Sequence, residues 1–249
     1  MRAMILAAGL GTRLRPLTHD RPKALVEVAG QTLLEITLAR LREFGVGHVI
    51  LNVHHFADMM AEYLKKNANF GMKIEISRED TLLDTGGGLK KAAWFFVKDS
   101  ADRGDPFILH NVDVISTIDF NRMLQFHNQH QALATLAVKQ RETSRYLLFD
   151  EHFRLSGRLS GVSQQAEFIR PSQQLQLQAL AFSGIHVISP RMLSMLTEDG
   201  AFSIIDSYVR LAGQGENILG FRADQYYWRD LGKPESVLQA EKDFKNKVL

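Results

Sequence analysis

Two glycines and two cations follow the first apolar run of the chain, and their spacing suits the binding of phosphate groups. Gly9 and Gly11 end that run, Arg13 follows two residues later, and Lys23 comes soon after. Glycine lets backbone amides approach phosphate oxygens closely, and the two cations would add positive charge. The pattern predicts a polyphosphate site. The alternative is a tight turn whose basic side chains are simply solvated.

Two familiar phosphate loops do not fit this segment. The dinucleotide-binding fingerprint needs a third glycine, but Thr12, Arg13 and Leu14 follow the second one here, and the Gly-Lys-Ser/Thr ending of the P-loop is missing. The second predicted strand ends in LNVHH, without the acidic residue that would contact a ribose. The sequence therefore disfavours a dinucleotide-dependent oxidoreductase.

Alternating strands and helices are expected to position this loop. Apolar runs at 2–8 and 48–54 predict buried strands, and leucines at helical spacing between them predict a helix that stops at Gly45. The alternation continues with a helix near 56–67, the strand KIEIS, a helix after the glycines at 86–88 and the strand PFILHNVD. This order favours a mostly parallel sheet covered on both faces.

The pattern changes after about residue 130, where strand-like segments with short connections predict added, partly antiparallel strands. These segments are ALATLAVK, YLLFDE, FRLSGRLS and LQALAFSGIHVIS. Helical patterns return at IIDSYVRLAGQG and ESVLQAEKDFK, with the strand ILGFRA between them. The polar stretch SQQAEFIRPSQQLQLQ predicts a mobile loop. No linker or repeat interrupts the chain, so a single domain over 1–249 is the simplest expectation.

Composition excludes several classes of function. The 249 residues are 45% hydrophobic without a run of membrane-spanning length, so the sequence predicts a soluble protein with a full core. A formal charge of +2 gives no reason to expect a nucleic-acid or membrane partner. The lack of cysteine excludes disulfides, thiolate metal sites and a cysteine nucleophile. No secretory signal is recognisable, and a cytoplasmic location is expected.

The segment LAAGLGTRLRPLTHDRPKALVEVAG closely resembles the signature of the sugar-1-phosphate nucleotidyltransferases. The later segments DTGGGL, HNVD, FSGIHVISP and YYWRDLG extend the resemblance over nearly the whole chain. The short length is similar to the compact bacterial members, including N-acetylmuramate-1-phosphate uridylyltransferases, and mannose-1-phosphate guanylyltransferases are similar in the same places. The resemblance implies a Rossmann-like three-layer α/β fold with a mixed, mostly parallel central sheet and added antiparallel strands.

The reaction that the resemblance implies is attack by a sugar 1-phosphate oxygen on the α-phosphorus of a nucleoside triphosphate, which releases pyrophosphate. Mg²⁺ is the implied cofactor, and no protein nucleophile is required. The half 1–130 would bind the nucleotide and the half 131–249 the sugar. UTP with the 1-phosphate of an N-acetylated sugar, such as N-acetylmuramate 1-phosphate, is favoured. GTP with mannose or heptose 1-phosphate, and a non-catalytic regulatory relative that binds nucleotide or sugar, remain alternatives, and the oligomeric state stays open.

The resemblance also assigns roles to individual residues. Arg13 would bind the β- and γ-phosphates, Lys23 would lie near the α-phosphate and the sugar phosphate, and Asp113 and Asp230 would hold Mg²⁺. The nucleotide would contact Leu6, Ala7, Ala8, Gly9, Gly11, Thr12, Arg13, Lys23, Thr85, Gly86 and Gly87. The sugar would contact Asp84, Gly88, Asn111, Ser183 and Gly184.

The chain departs from the family pattern in three places. Val112 stands where many relatives have a glycine, which leaves the geometry of that loop open. Ala24 replaces a usual proline after the signature lysine, a change that affects loop stiffness more than charge. The Glu-Lys-Pro motif of the hexose-1-phosphate thymidylyltransferases is absent, which disfavours that branch.

Overall fold

The computed structural model describes residues 1–97, 104–160, 165–169 and 176–246. The strands are β1 (Arg2–Leu6), β2 (Glu27–Val28), β3 (Gln31–Thr32), β4 (His48–Val53), β5 (Lys73–Arg78), β6 (Phe107–Asn111), β7 (Val114–Ser116), β8 (Ala134–Lys139), β9 (Arg145–Phe149), β10 (Leu155–Ser160), β11 (Gln165–Phe168), β12 (Gln178–Ile188), β13 (Ile218–Arg222) and β14 (Trp228–Asp230). The helices are α1 (Leu33–Glu43), α2 (Ala57–Lys66), α3 (Asp84–Lys91), α4 (Trp94–Val97), α5 (Phe120–Gln129), α6 (Ile204–Gly213) and α7 (Pro234–Lys245).

The first half of the chain forms the parallel part of the central sheet, in the order β6-β1-β4-β5. Ala3 of β1 lies opposite Val49 on one side and Ile108 on the other. Neighbouring β1 residues face opposite sides of the sheet: Ile5 packs in the hydrophobic cluster that includes α1, α2, α5 and α7, and Met4 in the one that includes α3, α4 and α6. The predicted sheet with helices on both faces is confirmed.

Antiparallel strands extend this sheet beyond β6. The long strand β12 pairs antiparallel with β6, β8 and β9, and its register shifts between Phe182 and His186. Gly184 lies in that interval with φ +75°, a conformation that glycine adopts without strain. Strands β10 and β11 continue the antiparallel edge, and β13 pairs parallel with β8. The mixed sheet with added antiparallel strands is therefore confirmed.

Two short sheets complete the fold. In one of them β14 pairs antiparallel with β7, so that Asp230 lies opposite Val114 and the Leu231 amide donates a 2.8 Å hydrogen bond to the carbonyl of Asp113. In the other, β2 pairs with β3 and leads directly into α1. The β7–β14 pair brings together two segments of the chain that are far apart in sequence.

Several element boundaries differ from the sequence-based expectations. Strand β1 ends at Leu6 instead of residue 8, and α3 begins at Asp84, so the glycines 86–88 lie inside the helix. The polar stretch 163–178, predicted as a loop, contains β11, which pairs with β10. Much of the rest of that stretch lies outside the described residues. Among the residues that are described, no helix is long and apolar enough to cross a membrane.

Three buried histidines should make the stability of this fold sensitive to acid. Burial lowers the pKa of His110 and His127 to about 4 and that of His186 to about 3. Unfolding returns these groups to an ordinary pKa near 6.5, so the unfolded chain binds more protons below that pH. The free energy of unfolding should then fall as the pH drops from about 6.5 toward 4, by up to about 1.4 kcal/mol per histidine and pH unit.

Urea denaturation at about pH 7 and about pH 5 measures this loss of stability. His152→Gln is the matched control, because the His152 side chain is 66% exposed and its replacement should not change the pH dependence. A free energy of unfolding that stays constant over this interval would contradict the burial of neutral histidines.

Candidate active site

A cavity of about 630 Å³ opens at the carboxyl ends of β1, β4 and β6. In an open α/β sheet this edge is where ligands bind. The lining residues are Leu6, Ala7, Ala8, Gly9, Leu10, Gly11, Thr12, Arg13, Lys23, Asn52, Leu82, Asp84, Thr85, Asn111, Val112, Asp113, Ala201 and Gly232. Most of the residues predicted to contact a nucleotide are therefore together in one cavity.

The glycine loop between β1 and the turn Thr12–Leu14 forms one wall of this cavity. Gly11 has φ +66°, and a Cβ placed there would lie 2.9 Å from Cγ2 of Thr18, so both the backbone and the packing require glycine. Thr18 in turn donates a 2.8 Å hydrogen bond to the carbonyl of Gly11. Within the described part of the chain, no protein acceptor takes the amide protons of residues 8–13. These amides are available to an anion.

A buried polar network fixes the start of the loop. Asn52, at the end of β4, accepts a 2.8 Å hydrogen bond from the Ala7 amide and donates one of 2.6 Å to Glu79. Glu79 is 4% exposed and also accepts from the amide of Leu83, next to α3. Because the three contacts join separate elements, they hold the loop in one position. Neither Asn52 nor Glu79 was among the predicted site residues, and the available signal was a polar Asn52 inside an apolar strand.

Lys23 and Asp113 form an ion pair at the wall of the cavity. Lys23 is 9% exposed and begins the short helical turn Lys23–Leu25, which follows Pro22. The Asp113 carboxylate accepts directly from the Lys23 ammonium group. A cation held at a fixed place beside a loop of free amides suits a ligand with several negative charges.

Asp230 joins this group through the β7–β14 pair, which places it beside Asp113 in the fold. Its Oδ1 accepts a 2.8 Å hydrogen bond from the Gly232 amide. A Cβ at Gly232 would lie 2.6 Å from Asp230 Oδ1 and 3.2 Å from Nη2 of Arg13, so both side chains converge on this glycine. Arg13 and Lys23 of one segment therefore come together with Asp113 and Asp230, which are distant from them in sequence.

The donor set fits a hard divalent cation. Mg²⁺ prefers oxygen ligands and is commonly held by one or two carboxylates together with substrate phosphates. Asp113 and Asp230 supply two carboxylates, and no cluster of three or more potential metal ligands occurs among the described residues. A metal at this place would therefore take its remaining ligands from substrate oxygens and water.

A second cavity, of about 1240 Å³, meets the first one at Arg13. The residues that line it are Arg13, Arg141, Thr143, Ser144, Arg145, Tyr146, Leu147, Arg158, Leu159, Phe182, Ser203, Ile205, Asp206, Trp228, Arg229, Asp230, Lys233 and Ser236. All of them except Arg13 belong to the second half of the chain. A ligand in the first cavity and a ligand in the second one would meet beside Arg13 and Asp230.

Residues 2–247 match the nucleotidyl transferase family. The chain belongs to this family. It is 33% identical over 248 residues to an N-acetylmuramate alpha-1-phosphate uridylyltransferase of Caulobacter vibrioides, a match that covers 96% of this chain and 95% of the relative. It is 31% identical over 242 residues to a mannose-1-phosphate guanylyltransferase catalytic subunit beta of Xenopus tropicalis, a match that covers 96% of this chain and 63% of the relative.

Solved structures share the fold of this nucleotidyl transferase. HddC from Yersinia pseudotuberculosis complexed with GMP-PN superposes with a TM-score of 0.76 at 23% identity, covering 98% of this chain and 99% of that one. A UDP-glucose pyrophosphorylase complexed with UDP-glucose gives a TM-score of 0.76 at 16% identity, with 99% and 98% covered. The predicted family, fold and enzyme class, a sugar-1-phosphate nucleotidyltransferase, are confirmed.

The glycines of α3 are not open to a nucleotide or a sugar, the contacts that the family resemblance implied for them. The Gly86 amide donates to the carbonyl of Phe202 at 2.9 Å, and the Gly87 amide donates to the same oxygen at 3.4 Å. A Cβ at Gly88 would lie 2.7 Å from both Asn52 and Glu79. All three glycines are buried and line neither cavity, whereas Asp84 and Thr85 do line the first cavity. The glycines allow α3 to pack closely against its neighbours.

Gly86→Ala should therefore destabilise the protein. A methyl group there would overlap the Phe202 ring and lie 3.0 Å from its carbonyl oxygen, and overpacking of this kind costs about 1–3 kcal/mol. Urea denaturation of the variant measures the loss. Gly47→Ala is the control, since nothing lies within 4 Å of a Cβ at that position and its backbone φ is not positive. Equal stability of the two variants would contradict the close packing of α3.

Ser183 and Gly184 lie below the surface of both cavities. Ser183 is fully buried, and its carbonyl accepts a 2.7 Å hydrogen bond from the Trp228 indole. A Cβ at Gly184 would lie 2.9 Å from Nδ2 of Asn111. The predicted direct sugar contact of this pair is therefore not supported by their positions. They support Trp228 and Asn111, which line the second and the first cavity respectively.

Val112 fits the loop without strain. Its side chain is 3% exposed, it has no positive φ, and its amide donates to the Leu6 carbonyl at 3.1 Å. Because a backbone with ordinary φ accepts a side chain, glycine is not required at this position. The substitution leaves Asp113 in contact with Lys23.

Proposed function

We propose that this sugar-1-phosphate nucleotidyltransferase uses UTP, N-acetylmuramate 1-phosphate and Mg²⁺, and forms UDP-N-acetylmuramate and pyrophosphate. The observation that carries the proposal is the convergence of a free-amide loop, two cations and two carboxylates where the two cavities meet. The choice of base and sugar is supported by the Caulobacter relative, because that match covers 95% of the relative's length.

The nucleotide triphosphate would occupy the glycine loop. The free amides of residues 8–13 can donate to its oxygens, while the Ala7 amide is already bound by Asn52. Arg13 lines the same cavity, and its planar guanidinium can bind two oxygens of the β- and γ-phosphates at once. These contacts would hold the leaving pyrophosphate in line with the attacking oxygen.

Lys23 would neutralise charge where the new bond forms. The sugar phosphate oxygen attacks the α-phosphorus, the bond from that phosphorus to the bridging oxygen breaks, and pyrophosphate leaves with the electron pair. Both reactants are anions, so a fixed cation between them lowers their repulsion. Asp113 keeps the Lys23 ammonium group in place through the ion pair. No side chain is needed as a nucleophile.

Asp113 and Asp230 would hold the metal. With oxygen atoms of the phosphates as further ligands, these two carboxylates would hold a Mg²⁺ ion, and the ion would supply positive charge against the triphosphate and the leaving group. The backbone bond from Leu231 to Asp113 keeps the two aspartate segments together, and Gly232 orients the Asp230 carboxylate. In this arrangement the chain itself supplies only part of the coordination sphere.

GTP with mannose 1-phosphate is the second candidate pair of substrates. It is supported by the Xenopus relative, which is 31% identical, although this chain spans only 63% of that protein's length. A non-catalytic regulatory relative is less favoured, because Arg13, Lys23, Asp113 and Asp230 are all present and lie together.

The division into a nucleotide-binding half 1–130 and a sugar-binding half 131–249 is part of the proposal. The cytoplasmic location, and the lack of nucleic-acid and membrane partners, stay predictions.

A competition experiment distinguishes these candidates. The protein is incubated with Mg²⁺, all four nucleoside triphosphates and an equimolar mixture of N-acetylmuramate, N-acetylglucosamine and mannose 1-phosphates, and the products are identified by mass spectrometry. The proposal predicts UDP-N-acetylmuramate as the main product. GDP-mannose would favour the second candidate. Nucleotide binding without any product would favour the non-catalytic relative.

A further inference from the structure

The second cavity carries more positive charge than a neutral sugar would need. Its lining includes Arg13, Arg141, Arg145, Arg158, Arg229 and Lys233, against the carboxylates Asp206 and Asp230. Sugar hydroxyl groups need hydrogen-bond partners of either kind and no net charge. The excess of cations therefore points to an anionic ligand in addition to the phosphates bound beside Arg13.

Ion pairs within the protein account for only some of these cations. Arg158 contacts Glu167 at 2.6 Å and also pairs with Asp206, and Arg229 contacts Asp243 at 2.8 Å. Within the described parts of the chain, no ion pair neutralises the other three cations outside the phosphate site, which are Arg141, Arg145 and Lys233. Arg145 and Lys233 are exposed, whereas Arg141 is half-buried.

Arg141 is held in a fixed orientation. Its guanidinium carbon lies 4.2 Å from the centroid of the Trp228 ring, and Nη2 donates a 2.8 Å hydrogen bond to the carbonyl of Phe182. Trp228 is itself fixed by its bond to the Ser183 carbonyl. A guanidinium that is already ordered loses little entropy when it binds a ligand.

Arg141 also retains unused capacity to bind an anion. Its buried Nε has no hydrogen-bond partner, and Nη1 makes only a 3.4 Å contact with the carbonyl of Glu142. Burial lowers the pKa of Arg141, while Asp230 opposes that shift. A half-buried cation with unfilled donors gains more from a neighbouring anion than a solvated one does.

We propose that Arg141, assisted by Arg145, binds a carboxylate on a substituent of the sugar and so selects acidic sugar 1-phosphates over neutral ones. This inference rests on the proposed function, which places the sugar in the second cavity. The planar fork of arginine matches the two oxygens of a carboxylate. Arg13 and Lys23 would bind the phosphates of both substrates, so Arg141 is available to bind a different group.

Two sugars that differ by one acidic substituent provide the test. N-acetylmuramate 1-phosphate carries a lactyl ether with a carboxylate, and N-acetylglucosamine 1-phosphate lacks it. Arg141→Met should lower kcat/KM for the acidic sugar by about 10- to 100-fold and leave the neutral sugar nearly unchanged. Arg141→Lys, which keeps the charge and loses the fork, should lie between Arg141→Met and the wild type. Arg122→Met, on the exposed surface of α5, is the matched control and should behave as wild type.

Binding of the two unphosphorylated sugars, N-acetylmuramate and N-acetylglucosamine, gives a readout that does not depend on turnover. Calorimetric titration should show tighter binding of the acidic sugar, and Arg141→Met should remove the difference. Should Arg141→Met fail to fold, the same comparison of the acidic and the neutral sugar is made with Arg141→Lys and Arg145→Met.

Two results would overturn the inference and leave the proposed transferase reaction intact. One is turnover and binding without any preference for the acidic sugar, and the other is an equal loss for both sugars in Arg141→Met. A preference in binding without turnover would support Arg141 and contradict the proposed reaction.

Discussion

Asp113→Asn should lower the turnover of this nucleotidyl transferase by roughly 10³-fold and raise the Mg²⁺ concentration needed for half-maximal rate. An amide is a weaker ligand than a carboxylate for a hard cation, and the change also removes the anion that pairs with Lys23. The charge of Lys23, which is 9% exposed, would then lack its partner. Both effects act where the α-phosphorus would react. Steady-state rates over a Mg²⁺ titration measure them together.

Two further variants separate the metal from the ion pair. Asp230→Asn should weaken the response to Mg²⁺ in the same direction while the contact between Lys23 and Asp113 stays in place. Asp58→Asn, which changes a carboxylate that is 85% exposed on α2, should have wild-type kinetics. A Mg²⁺ titration of folded Asp113→Asn and Asp230→Asn that overlays the wild-type curve would remove both aspartates from the metal site.

Arg13→Ala should lower kcat/KM by about 10²-fold, because the side chain lies where the two cavities meet and no other arginine of the described residues lines the first one. Its contacts with the phosphates should strengthen as the pyrophosphate leaves, so most of the loss should be in kcat. Arg13→Lys keeps the charge but cannot bind two oxygens with a planar fork, and we expect an intermediate rate.

Arg15→Ala is the matched control for this prediction. Arg15 belongs to the same loop and is exposed, but it lines neither cavity, so its removal should leave the kinetics nearly unchanged. If Arg13→Ala and Arg15→Ala behave alike, the charges of the loop are simply solvated, and Arg13 has no part in the mechanism.

The glycine loop was predictable from the sequence because its determinants are local. The apolar run that becomes β1, the need for glycine at residue 11, and the nearby Arg13 and Lys23 all lie within one short segment. The alternation of strands and helices in the first half was also predictable, because it depends on hydrophobic periodicity along the chain. Loop, sheet and cavity therefore agree with the sequence-based expectation.

The contacts that complete the site could not be read from local patterns. Lys23 and Asp113 pair across 90 residues, and the role of each was expected only from the family resemblance. The Phe202 carbonyl, in a distant segment, accepts the hydrogen bond of the Gly86 amide, so a glycine that was expected to contact the nucleotide makes a packing contact instead. Arg141 meets Trp228 only because the end of β8 and the start of β14 lie near the same cavity. Tertiary packing, which has no short-range signal, decided these three outcomes.

Pyrophosphate release with and without the second substrate tests most directly whether the protein transfers a nucleotidyl group from UTP to the sugar 1-phosphate. Purified protein is given Mg²⁺ and UTP, and pyrophosphate is measured before and after N-acetylmuramate 1-phosphate is added. The account predicts no release with UTP alone, and stoichiometric release of pyrophosphate and formation of UDP-N-acetylmuramate once both substrates are present. Release from UTP without the sugar phosphate, or no release with both substrates while UTP still binds, would contradict direct transfer between the two bound anions.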